Sequence, residues 1–173
     1  MAILLAGDLG GTKTLLGLFN SAHSPPLRLK VSRFRTLDFD GLHAMIKEFL
    51  TGHRGSIESA CLGVSGPVQH NASNLTNIPW LVDAEDISLS FSIPCVRLLN
   101  DVTAAAYAIP QLTERQLELL QTGHRDAKGN AALIVSGTDL GESILQNLHG
   151  TLIATPSEGD HADFAARTPD EKN

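Results

Sequence analysis

Two rhythms alternate along the chain. Residues 2–7 are a short apolar run that reads as a buried strand, and residues 13–20 resume as a second strand after a glycine turn. Residues 27–36, LRLKVSRFRT, alternate apolar and basic with period two, the pattern of a strand with one wet face. The intervening SAHSPP reads as a loop. The period then changes. Leu42, Met45, Ile46, Phe49 and Leu50 fall on one stripe, which predicts a helix over 41–50. A strand is expected at 57–65, then a polar, turn-rich stretch, GPVQHNASNLTNIPW, with no element assigned to it. A short helix at 84–91, a strand at 94–99 and an alanine-rich helix at 102–109, halted by Pro110, follow. Thr113 and Gln116 have capping-box spacing ahead of LELLQ, which predicts one more short helix. Past a surface loop, GHRDAKGN, strands are expected at 131–136 and 142–147, joined by GTDLG. The tail from 156 is polar. This order predicts an α/β fold built on a mixed sheet.

Composition changes the picture little. The 173 residues are 42% hydrophobic and only 5% aromatic, so Leu, Ile, Val and Ala must fill the core. The net charge of −6, with no Lys/Arg cluster evident along the chain, argues against a nucleic-acid partner. No apolar run reaches membrane-spanning length, and the N-terminus lacks the basic region of a signal peptide. A cytoplasmic location with no membrane partner is therefore expected. Cys61 and Cys95 lie in apolar runs and are expected to be buried, reduced thiols.

Four stretches carry candidate chemistry. In Asp8-Leu9-Gly10-Gly11-Thr12, glycines let backbone N–H groups approach an anion, and Asp8 could hold Mg²⁺ directly or through water. A plain glycine hairpin is the alternative. The spacing is not that of a P-loop, and no helix or third glycine completes a dinucleotide fingerprint. Asn100-Asp101 closes a strand ahead of a helix, where α/β sheets place ligands; Asp101 could equally be an N-cap. Ser136-Gly137-Thr138-Asp139-Leu140-Gly141 repeats the Gly/Thr turn and could grip the same polyphosphate, or be one more hairpin. Glu158-Gly159-Asp160-His161 offers metal-ligand spacing or hydrogen bonds to a polyhydroxylated ligand.

Taken in order, GDLGGTKTLLGL, LTNIPW, LLNDVTAAAYAIP, SGTDLGES and SEGDHADFA resemble the bacterial glucokinase family of the actin-like/hexokinase superfamily, over essentially the whole chain. The resemblance implies an actin-like, ribonuclease H-like mixed sheet flanked by helices, and ATP-dependent phosphorylation of glucose at its 6-hydroxyl. It implies that Asp101 is the general base. Asn100, Glu158 and His161 would hydrogen-bond the sugar's other hydroxyls, and Asp8 would position the Mg²⁺ of Mg·ATP. Gly10, Gly11, Thr12, Gly137 and Thr138 would hold the phosphates. Residues 1–110 would form a small domain, and 111–173 the start of a large one.

The sequence departs from that family in three ways. Family members are about twice as long, so the large domain is expected to be incomplete, with self-association or a missing C-terminal half as partner. Asp139 and Asp160 stand where the family has glycines in its G-T-G and E-G-G-H motifs. A carboxylate about 4 Å from a phosphate costs on the order of 4 kcal/mol at an effective dielectric of about 20. These features support an alternative expectation, a sugar-binding or interaction remnant that has lost catalysis. A sugar-responsive repressor of the same superfamily would need a helix-turn-helix ahead of the first strand, where this sequence has none.

Overall fold

The computed structural model describes residues 2–124, 126, 128–136, 140–157 and 159. They fall into two compact units, 1–105 and 106–173.

The first unit is a five-stranded mixed sheet. Strands β1 (Ile3–Leu9), β2 (Lys13–Asn20) and β3 (Leu27–Arg35) form an antiparallel meander. Strands β4 (Ser59–Val64) and β7 (Cys95–Asn100) continue parallel to β1, giving the order β3-β2-β1-β4-β7. Strict alternation sends Leu5, Leu9, Leu16, Leu18, Leu62, Val64, Val96 and Leu98 to one face, where they are buried. Helix α1 (Leu42–Phe49) covers that face with Leu42, Met45, Ile46 and Phe49, the stripe that its period predicts. Phe34 packs edge-on against Phe39 and Phe49, with ring centroids 5.5 and 6.2 Å apart. Helix α2 (Ala84–Phe91) starts at Asp83, whose carboxylate accepts from the N–H groups of Glu85 and Asp86.

The turn-rich stretch holds a small hairpin that its composition hid, β5 (Ala72–Asn74) with β6 (Leu81–Asp83). Asn71, ahead of it, has a left-handed backbone with φ of 61°. Its side chain works as one residue of an extra strand. The Nδ2 donates to the Val96 carbonyl at 2.9 Å, and the Oδ1 accepts from the Leu98 N–H at 2.8 Å, which closes the free edge of β7.

The second unit holds a three-stranded antiparallel sheet, with β8 (Ala131–Ser136) and β10 (Thr151–Ser157) on either side of β9 (Leu140–Leu148). The strand β10 was not expected. Its core is small: Ala106, Leu145 and Ala154, with Ile109, Leu133 and Leu152 against them. Ile134, Ile144, Leu148 and Ile153 are exposed. The helix α3 (Asp101–Ala108) crosses the unit boundary.

Two expectations are corrected. The capping box of Thr113 and Gln116 forms, but it caps only a single 3₁₀ turn, Glu114–Gln116, and LELLQ is not helical. Leu117, Leu119 and Leu120 are exposed, and so short a helix does not persist without a face to bury. Cys61 and Cys95 are free thiols, as expected, but both are exposed rather than buried. Strand parity directs them to the sheet face opposite α1.

The edge-closing role of Asn71 can be checked by urea unfolding. Asn71→Gly keeps the backbone conformation accessible but leaves a buried carbonyl and N–H unpaired. It should cost about 1–3 kcal/mol with little change in the urea dependence.

Candidate active site

The bend between β1 and β2 is braced from behind. Gly10 N–H closes it on the Lys13 carbonyl at 3.1 Å. The fully buried Thr36 holds it at two further points. Its hydroxyl donates to the Gly10 carbonyl at 2.8 Å, and its N–H donates to the Thr12 carbonyl at 3.1 Å. The Thr14 hydroxyl lies 3.0 Å from that of Thr36 and completes the brace. The bend's carbonyls therefore point into protein. The N–H groups of Gly11 and Thr12 have no protein acceptor among the described residues. Such an arrangement suits an anion. Gly11 is required here by close approach, because a Cβ on it would lie 2.8 Å from the Asn77 Cβ. That contact brings the LTNIPW stretch against the bend.

Asp8, the last residue but one of β1, lies on the face opposite α1. In register across the sheet, Asp8 stands beside Gly63, and Gly63 beside Leu99. The absent side chain of Gly63 decides what lies above it. A Cβ there would sit 3.3 Å from the Ala104 Cβ and 3.6 Å from the Asp101 Cα. The first turn of α3 thus rests directly on β4, which brings Asp101 toward Asp8. The two carboxylates interact. Asp8 is held above the usual carboxylate pKa, first by partial loss of solvent and second by the charge of Asp101, with Lys13 opposing.

Asn100 is the N-cap of α3. Its Oδ1 accepts from the N–H groups of Val102 at 3.0 Å and Thr103 at 3.2 Å. The cap therefore belongs to the neighbour of Asp101. Among the described residues, Asp101 Oδ1 accepts from the adjacent Val102 N–H alone, at 2.8 Å. The Asn100 amide is left with one long bond, 3.5 Å to the Gly66 carbonyl, so its donors are largely available.

Of the residues expected to form the site, Asp8, Gly10, Gly11, Thr12, Asn100 and Asp101 lie together on the first unit. Gly137, Thr138, Asp139, Glu158, Asp160 and His161 lie outside the described residues. No group of three or more His, Cys, Asp or Glu able to hold a metal occurs among the described residues. Thr36, Gly63 and Asn77 were not singled out from sequence. Gly63 alone carried a usable signal, a glycine inside an apolar strand, which marks a close approach of another backbone.

The coupled carboxylates can be titrated by carbon NMR. Asp101→Asn should lower the Asp8 pKa but leave it above the ordinary value, since loss of solvent is the larger cause. A raised folded pKa means that ionised Asp8 disfavours the fold. Asp8→Asn should therefore be the more stable protein at neutral pH, and the gap should close as the pH falls through the folded pKa and be gone below the unfolded carboxylate's pKa.

Comparison with known proteins shows the family. The Glucokinase family profile matches residues 5–173. A glucokinase of Trichormus variabilis is 38% identical over 172 residues, covering 96% of this chain and 50% of its own length. A crystal structure of glucokinase from an Antarctic psychrotroph superposes with a TM-score of 0.87 at 27% identity, over 99% of this chain and 55% of that one. A ROK family glucokinase from Streptomyces griseus, solved with glucose and AMPPNP, shares the fold at 20% identity with a TM-score of 0.58, over 87% of this chain and 46% of its own. The chain spans about half the length of the curated relatives that it matches. It belongs to the glucokinase family.

Proposed function

We propose that the chain serves ATP-dependent phosphorylation of glucose or a related hexose at the 6-hydroxyl. The observation that carries this reading is the pair Asp8 and Asp101. They meet beside a glycine bend whose carbonyls are pinned and whose N–H groups are turned outward. Phosphoryl transfer needs positioning and charge neutralisation more than covalent chemistry, with one base at the nucleophile.

In this reading Asp101 accepts the proton of the attacking hydroxyl. The cap at Asn100 leaves the Asp101 carboxylate nearly unencumbered, and the Asn100 amide is available to a neighbouring sugar hydroxyl. Glu158 and His161 contact further hydroxyls. The N–H groups of Gly11 and Thr12 take phosphate oxygens, with Gly10 shaping the bend and Gly137 and Thr138 gripping from the second turn. Asp8 fits a divalent ion: loss of solvent first and the charge of Asp101 second disfavour its ionised form, and a bound cation would favour it against both. Bound there with ATP, Mg²⁺ would neutralise phosphate charge. The exposed apolar side chains of β8–β10 support a partner, either a second copy or the remaining half of a full-length kinase.

Asp139 and Asp160 favour a second reading, a sugar-binding remnant without turnover, since both place carboxylates where the family carries glycine. Calorimetry separates the two. Titration with glucose and then with Mg·ATP should show both binding. Glucose binding alone would establish the remnant, and binding of neither would end both readings. Joined to the second half of the Trichormus variabilis enzyme, residues 1–173 should phosphorylate glucose. There Asp101→Ala should lower kcat by roughly 10²–10⁴-fold with glucose affinity little changed.

A further inference from the structure

The chain has two cysteines, and the first unit's sheet sets them side by side. Cys61 on β4 stands in register with Arg97 on β7, and Ser59 with Cys95. Cys61 and Cys95 are therefore diagonal neighbours on adjacent parallel strands, two residues out of register. Strand parity puts both on the face opposite α1, and both are exposed free thiols. They are close enough to act on each other. Loss of solvent first, and Cys95 second, hold the Cys61 thiol above its ordinary pKa. The loss of solvent has a visible source: Cys61 walls an apolar hollow of about 270 Å³ with Leu4, Ala6, Phe19 and Pro26. Exposed cysteines scattered over a surface would carry no meaning. Here both are brought from separate strands to one diagonal.

The spacing disfavours one chemistry and suits another. Strands about 4.8 Å apart and an offset of about 6.6 Å put the two Cα atoms about 8 Å apart. A disulfide needs less than about 7 Å. The raised pKa of Cys61 also leaves little thiolate at neutral pH to begin an oxidation. An ion held between the sulfurs spans a longer gap, since two metal–sulfur bonds of about 2.3 Å set the sulfurs about 4.6 Å apart. We propose that Cys61 and Cys95 form a two-thiolate site for a soft monovalent cation, copper(I). Thiolates select that ion, and two of them satisfy it. Zinc asks for four ligands, and among the described residues no group of three or more His, Cys, Asp or Glu is placed to hold a metal. On binding, two S–H bonds break, two copper–sulfur bonds form and two protons leave to solvent. No electron is transferred.

Anaerobic titration of the reduced 173-residue chain with copper(I), in competition with bicinchoninate, tests the site. One ion should bind per chain, and native mass spectrometry should show two protons lost for it. Cys61→Ser and Cys95→Ser keep the size of the side chain but replace a soft donor with a hard one. Each should weaken binding by more than the roughly 10–100-fold that changes outside the ligand set cost. Ser59→Ala, in register with Cys95, should leave binding within a few-fold. Zinc should not displace the copper. Circular dichroism verifies that the variants fold. Two ions per chain, half an ion per chain in a bridged dimer, or a cysteine variant that keeps its affinity would each overturn the site. So would a Cys61–Cys95 disulfide closing under oxidised glutathione, because it would show that the sulfurs meet at about 2 Å.

Discussion

The site depends on a missing side chain. Gly63 lets the first turn of α3 lie against β4, and a single Cβ there would already press on Ala104 at 3.3 Å. A larger residue would lift the helix start and carry Asp101 with it. The sheet then does the rest, because parallel pairing fixes Asp8, Gly63 and Leu99 in one row, and Asp101 follows Leu99 by two residues. Two like charges meet where backbone packing leaves them no alternative. Loss of solvent first, and the charge of Asp101 second, hold the Asp8 carboxyl above its ordinary pKa.

The glycine bend is built on the same economy of parts. A loop that binds anions through its N–H groups must keep its own carbonyls away from the ligand. Thr36 does this with one hydroxyl and one N–H, from a strand end that is distant in sequence and adjacent in space. Its burial is complete, and Thr14 shares its hydroxyl bond, so the brace moves little. The bend is therefore held in place by protein groups alone.

Much of this was legible in the sequence, for identifiable reasons. The strands and α1 announced themselves through periods of 2 and 3.6, since burial on one face dictates both. Asp8, Gly10, Gly11 and Asp101 could be named because they lie at strand ends, where chemistry and turn geometry demand particular residue types. Three kinds of feature were hidden. The hairpin of β5 and β6 is too short to show a period, and Asn71 closes an edge with its side chain, which no pattern encodes. The cap was misassigned as an option for Asp101 because Asn and Asp are equally good caps and only geometry chooses between neighbours. The exposure of Cys61 and Cys95 depends on which sheet face is covered, and strand parity alone does not say that.

Charge is the feature least readable from a linear sequence. A chain of net charge −6 gives no hint of a cationic surface, yet hairpin pairing sets Lys13 against Arg35 with Arg33 alongside. The same row that ends in Arg33 passes through Leu15, Asp8 and Gly63 to Leu99, two residues ahead of Asp101. One sheet face thus runs from positive at its β3 edge to negative at its centre. An anionic chain on this face is drawn to the cationic side and repelled by the carboxylates, unless a divalent cation screens them.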